Sequence, residues 1–157
     1  MEEPTLNQTC SCSCGKSKFQ ALAYPFARFI CHCSICQQLY KSAFADATVL
    51  WWRDILIPKK HDIQFKKYRA FPGLNRGVCS DCKSPVIASM GYGPARIAIT
   101  SAQNFPNISE LIAPQMHIFY DKCQSKINDK LPKYSGYLSS EIATTSLILR
   151  GMFCRNK

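Results

Sequence analysis

Cysteine is the residue type most able to do chemistry in this chain: ten occur in 157 residues, and eight of them fall into three tight groups. Cys10, Cys12 and Cys14 stand in "CSCSCG", Cys31, Cys33 and Cys36 in "CHCSIC", and Cys79 and Cys82 in "CSDC", while Cys123 and Cys154 are alone. Grouped cysteines form disulfides in an oxidising compartment or hold metal in a reducing one. The N-terminus, "MEEPTLNQTC", begins acidic and has no apolar stretch, so it does not read as a secretory signal. A cytoplasmic protein with reduced thiols is the expectation. Pairs one residue apart, such as Cys12/Cys14 and Cys31/Cys33, would bridge each other only with strain. Clustered thiolates are soft ligands suited to zinc.

Zinc takes four ligands in a tetrahedron, and a closed structural site commonly joins two pairs from separate segments. Cys79 and Cys82 form one half-site, for which Cys12 and Cys14 are a candidate partner pair. That division leaves Cys31, Cys33 and Cys36, three thiolates within six residues. Three protein ligands and one open position is the arrangement of a catalytic zinc, since the vacancy admits water or substrate. Two other divisions stay open. The "CHCSIC" group could pair with Cys79/Cys82 in a single closed site, or His32, Cys10 or His117 could close the second site as a fourth ligand. Cys10 is balanced between an auxiliary ligand and an unengaged thiol. Cys123 and Cys154 read as ordinary small side chains, His61 as solvated surface and His117 as a hydrogen-bonded core histidine. Trp51 and Trp52 read as packing residues, one of which must face outward if both lie in a strand.

The elements that must position these groups read as short strands. They are expected in "SKFQALAY" (Ser17 to Tyr24, interrupted by Pro25), "ARFICHC", "AFADATVLWW" and "DIQFKKYRA". "SICQQLY" predicts a turn or two of helix with Ser34 as its N-cap. "FPGLNRG" supplies turn residues. "SPVIASMGYGPARIAITSA" predicts a hairpin and "QMHIFYD" a further short strand. The segment "IATTSLILRGMF" is broken by Thr, Ser and Arg and is far shorter than the ~20 apolar residues of a membrane span. It reads as a C-terminal element packing on the body, or as a partly ordered tail. Many short strands with little helix predict a mostly β single domain. Its organisation reads as a lead-in over 1–9, a zinc-binding domain over 10–135 and an extension over 136–157.

A net charge of +10 admits a nucleic-acid partner or an anionic substrate. The positive charge is dispersed, however, and its densest group, Lys59, Lys60, Lys66, Lys67 and Arg69, has the spacing of a strand's outer face. Nucleic acid is therefore an alternative partner and not the favoured one. No repeat, low-complexity tract or membrane span is present in the sequence.

Taken in order, the three cysteine motifs resemble the glutathione-dependent formaldehyde-activating enzyme family, which includes centromere protein V. The resemblance rests on "CSCG" at Cys12–Gly15, "CHCSIC" at Cys31–Cys36 and "CSDCKSP" at Cys79–Pro85, with "SAFA", "FKKYRAFPG", "HIFYDK" and "LPKY" as flanks. It covers roughly residues 10 to 135. It implies a β-tent of antiparallel sheets, a structural zinc on Cys12, Cys14, Cys79 and Cys82, and a catalytic zinc on Cys31, Cys33 and Cys36. The activity it implies is a carbon–sulfur lyase-type condensation of formaldehyde with glutathione to S-hydroxymethylglutathione. Alternatives from other classes are a non-catalytic zinc-stabilised binding module and the same scaffold acting on another thiol or aldehyde. The chain departs from the family pattern at Ile35, Gln37, Gln38 and Ser125, and at Lys83, where the family has glycine. None of these is a cysteine. Lys41 is a candidate for attracting the carboxylates of glutathione.

Overall fold

The computed structural model describes residues 6–70 and 73–154. Phe71 and Pro72 of the expected "FPGLNRG" turn lie outside the described residues. Ten strands form two sheets, and there are two α-helices among the described residues.

The smaller sheet joins β1 (Gln8–Ser11), β2 (Lys18–Ala21) and β5 (Ile55–Leu56) in the order β1-β2-β5. The larger contains β3 (Ala27–Cys31), β4 (Ala45–Trp51), β6 (Ile63–Lys67), β7 (Asn75–Cys79), β8 (Pro85–Met90), β9 (Ile97–Ser101) and β10 (His117–Ile118). Its order is β10-β3-β4-β9-β8-β7-β6. Every pairing is antiparallel except β10 with β3, where His117 lies beside Ile30 and Ile118 beside Cys31. This parallel pair departs from the expectation of purely antiparallel sheets. The protein is mostly β, as the sequence predicts.

Alternation along the strands divides the apolar residues between two cores. On β4, Ala45, Ala47, Val49 and Trp51 point into one cluster with Phe29, Ile97, Met116 and Ile118. Leu50 points to the other, where it meets Phe19, Ile55, Val86 and Phe105. The central strand is thus covered on both faces, which is why it reads as a near-continuous apolar run. Its buried hydroxyls are paired: Thr48 donates to the Thr100 carbonyl at 3.0 Å and Thr100 to the Val86 carbonyl at 2.8 Å. Trp51 is buried, and Trp52 escapes full exposure because the strand ends and a 3-10 turn begins there. The Arg96 guanidinium then lies 3.8 Å from the Trp52 ring centre.

The N-terminal residues join the fold earlier than expected, with Leu6 in the core and β1 beginning at Gln8. The expected C-terminal element is an 18-residue helix, α2 (Tyr137–Cys154). Ile148 anchors it in the second core, and the buried Ser140 hydroxyl accepts the Phe119 N–H at 2.8 Å. Gly151 permits close approach to Phe26, whose carbonyl lies 2.9 Å from where a Cβ would stand. No helix among the described residues is long and apolar enough to cross a membrane.

The turn from β7 to β8 contains Cys79 and Cys82, and Lys83 closes it in the left-handed region at φ 59°. An L side chain there costs about 1–2 kcal/mol, which gives a physical reason for the glycine that the resembled family has at this position. Here the Lys83 ammonium donates to the Ser80 carbonyl at 2.6 Å and to Gln64 Oε1 at 3.0 Å. Both bonds are exposed and offset only part of the strain. Lys83→Gly is expected to stabilise the protein by about 0.5–1 kcal/mol, the relief of strain less glycine's extra chain entropy. Thermal melting of metal-loaded protein checks this, and a lowered midpoint would show that the lysine contacts outweigh the strain.

Candidate metal centres and the adjoining cavity

Two groups of thiols meet in space. Cys12 and Cys14, just after β1, come together with Cys79 and Cys82 of the β7–β8 turn, all four sulfurs lying within 4.8 Å of one another. The Cys12 and Cys14 sulfurs are 3.5 Å apart, and those of Cys14 and Cys79 are 3.8 Å apart. These separations are far beyond a disulfide bond of about 2.05 Å. They match the edge of a sulfur tetrahedron around an ion with metal–sulfur bonds of about 2.3 Å, which is about 3.8 Å.

The surrounding backbone favours negative charge on these sulfurs. The Ser17 N–H donates to Cys12 at 3.3 Å. Burial raises the Cys82 thiol, but hydrogen bonds from the Ser84 hydroxyl and backbone outweigh it and bring the thiol down to about 6. Burial likewise raises Cys79, and donors including Ser17 and the backbone of Cys82 and Asp81 turn the net shift downward. A bond from the Lys16 backbone lowers Cys14, but bonds with the neighbouring thiols outweigh it and push that thiol up to about 11. The four therefore ionise together only around a cation, and four thiolates fit a soft divalent one.

The second group is Cys31 at the end of β3, Cys33 and Cys36, again with all sulfurs within 4.8 Å of one another. All three are buried. The short helix α1 (Ser34–Tyr40) sets their geometry. Its N-cap is Cys33 and not the expected Ser34: the Cys33 sulfur accepts the Cys36 N–H at 3.4 Å. The residue with extended backbone before the first turn takes the cap, and here that residue is a cysteine. Hydrogen bonds from Cys31 and Cys36 hold the Cys33 thiol well below its ordinary value. The same bonds, with burial, push Cys31 well above it. Three buried thiols so close together cannot all ionise unless a cation shares the site, so this donor set also fits a metal.

The alternative fourth ligands remain outside both groups. Cys10 is fully buried in the first core, and burial pushes its thiol up to about 12. His32 and His117 bond each other instead, His32 Nε2 lying 2.9 Å from His117 Nδ1. His117 Nε2 lies 2.8 Å from Asp129 Oδ2, and Lys133 lies 2.5 Å from the other carboxylate oxygen. Lys133 first, then His117, hold the Asp129 carboxyl well below the usual carboxylate range. With the His117 Nε2–H given to that carboxylate, its Nδ1 accepts from His32, and the chain of bonds pins the peptide between Cys31 and Cys33. Gln37 adds to this by donating to the His32 carbonyl at 2.7 Å and the Lys122 carbonyl at 2.8 Å. His117 is therefore the hydrogen-bonded core histidine that the sequence predicts. His61 is exposed, and Cys123 and Cys154 belong to neither thiol group.

The two thiol groups differ in what they face. Cys31, Cys33 and Cys36 line a cavity of about 600 Å³, and none of the other four does. Its floor is the large sheet and α2 forms one wall, through residues from Glu141 to Leu149. Most of the lining is aliphatic or aromatic. The charged groups in it are Arg69, Arg76 and Glu141. Arg76 lies close enough to Cys33 to favour its thiolate, and burial raises the Glu141 carboxyl.

These three charged residues escaped the sequence reading. Arg69 resembled part of an exposed strand face, Arg76 has no motif around it, and Glu141 stands in a segment with no evident periodicity. Lys41, by contrast, caps α1 in a left-handed conformation at φ 49° and does not line the cavity. Neither do Ile35, Gln37, Gln38, Lys83 or Ser125.

Among solved structures, the crystal structure of a Rhodobacter sphaeroides protein is similar to this one, with a TM-score of 0.52. The two are 16% identical, and the likeness covers 80% of this chain and 98% of that one. At that identity it concerns the fold alone. No curated protein matches the chain in sequence. The family model described as glutathione-dependent formaldehyde-activating enzyme matches residues 7–122. That span holds both thiol groups and well over half the chain, so the protein belongs to the glutathione-dependent formaldehyde-activating enzyme family.

Proposed function

We propose that the chain joins glutathione to formaldehyde at Cys31, Cys33 and Cys36, which hold a catalytic zinc ion, while Cys12, Cys14, Cys79 and Cys82 hold a structural one. The observation that supports this division best is that three buried thiols open onto a cavity while the other four do not. Family membership supports the substrates.

The reaction is an addition. The thiol sulfur forms a bond to the aldehyde carbon, the carbonyl π bond opens onto oxygen, and the thiol proton ends on that oxygen, giving S-hydroxymethylglutathione. Nothing is oxidised or reduced, and read in reverse the step breaks a carbon–sulfur bond, as in a carbon–sulfur lyase. Formaldehyde is a strong electrophile, so the demands on the protein are thiolate at neutral pH and two reactants held together. A zinc ion at the three cysteines supplies Lewis acidity that favours thiolate over thiol.

The remaining work falls to residues of the chain. Arg69 and Arg76 bring positive charge to the cavity beside the cysteines, the sign that seats the carboxylates of glutathione. The largely apolar lining lowers the local dielectric, which strengthens those contacts. The bonds of His32, His117 and Gln37 hold the cysteine loop in place.

Protein prepared without chelators is expected to hold close to two zinc ions per chain by elemental analysis. Cys36→Ser should hold close to one, remain folded and lose all condensation above the uncatalysed rate. Full activity in that variant would end this reading. Cys82→Ser removes a ligand that joins two parts of the fold, so it should lose its cooperative melting transition. Arg76→Met is expected to raise the KM for glutathione about tenfold or more, the worth of a charge-assisted contact, with little change in the KM for formaldehyde. An unchanged KM for glutathione would place its carboxylates elsewhere.

A further inference from the structure

The cavity beside Cys31, Cys33 and Cys36 is built for something larger than formaldehyde. A molecule with two heavy atoms needs little more than the room of a water, whereas about 600 Å³ lies in the range that receives ligands of many atoms. The space is a feature of the sequence. Ala45 and Ala47 on β4 and Ala88 on β8 line it, and larger side chains at these positions would fill it. The surrounding wall is aliphatic and aromatic, including Phe29, Leu39, Ile87, Ile99 and Ile118. Such a wall gains nothing from the charged groups of glutathione, whose two carboxylates complement the two arginines in sign.

The side formed by α2 lies outside the family match. The family match ends at residue 122, so the whole of α2 lies beyond it. Ile148 is buried, while Ile142 and Leu149 are 61% and 46% exposed and yet line the same space. They extend the apolar wall from the cysteines toward solvent.

We infer that the aldehyde accepted at the three-cysteine site carries an apolar chain of several carbons. Its carbonyl lies at the cysteines and its chain runs along the wall that Ile142, Ile148 and Leu149 of α2 complete. The inference rests on the proposed thiol–aldehyde reaction and specifies its second substrate. The chemistry is unchanged: sulfur bonds to the carbonyl carbon, the thiol proton passes to oxygen, and the product is the hemithioacetal of the longer aldehyde.

The experiment is a series of straight-chain aldehydes from formaldehyde to octanal, each with glutathione and zinc-loaded protein, with 1-octanol as an unreactive binding probe followed by calorimetry. KM is expected to fall roughly threefold to fourfold for each methylene that enters the cavity, and octanol should bind at one site per chain. The double variant Ile142→Asp/Leu149→Asp changes two exposed residues and leaves the core intact. It should weaken octanol binding at least tenfold and flatten the dependence on chain length. Ala47→Leu, which fills the floor, should do the same from the opposite side. If formaldehyde is turned over but longer aldehydes have no lower KM, the inference fails while the proposed reaction stands. If no aldehyde reacts above background, both fail. Octanol binding that neither variant weakens would place the apolar chain outside this cavity and overturn the inference.

Discussion

Four sulfur atoms spaced at the edge of a tetrahedron are the constraint on which the rest of the structure depends. They join the end of β1 to the turn between β7 and β8, and so fasten the three-stranded sheet to the seven-stranded one across some 65 residues of chain. An ion pair between Lys16 and Asp81 at 2.8 Å spans the same junction. That pair is exposed and contributes little by itself. The thiols carry the junction, because their mutual repulsion when ionised is relieved only by a shared cation. With the sheets so fixed, β3 and α1 present the second group of thiols on the opposite core, toward the cavity.

The two groups differ in burial and access. Around Cys79 and Cys82, hydroxyl and backbone donors lower the thiols, and neither residue lines the large cavity. Around Cys33, the lowering comes from the other two cysteines and from Arg76, and the space in front is open. A ligand set of four needs nothing further. A set of three in a buried position leaves room for a reactant only where a neighbouring cavity supplies it, and the alanines of β4 and β8 create that room.

The cysteine groups and most strands were legible in the sequence because their signals are local. Spacing within "CHCSIC" and "CSDC" fixes which sulfurs can converge, and the hairpin of β8 and β9 is written in two apolar runs around a Gly/Pro turn. Features that depend on distant partners were not legible. The β10 pairing is only two residues long and parallel, set by a partner strand some 87 residues earlier in the chain. Helix α2 was obscured because Thr and Ser interrupt its apolar residues, and only the docked helix shows that Ser140, Ala143, Leu147 and Ile148 share one buried side. The N-cap was misplaced by one residue, since serine is the stronger cap by type while Cys33 is the residue with extended backbone.

The position of α2 separates the proposed choice of substrate from the proposed metal chemistry. Every cysteine of both groups lies before residue 83, within the span matched by the family, and each group is braced by bonds to its immediate surroundings. The helix is tied to the end of β10 by the bond from the Phe119 N–H to the Ser140 hydroxyl, packs Ile148 into the core that holds the three cysteines, and contributes cavity wall. Substitutions on its cavity side alter the size and polarity of the space without moving a ligand, whereas a change in β3 or α1 would disturb the sulfurs themselves. An apolar wall added at that distance from the thiols acts on whichever part of a substrate extends away from its reacting carbon. Formaldehyde has no such part, and for that reason the wall points to a longer aldehyde.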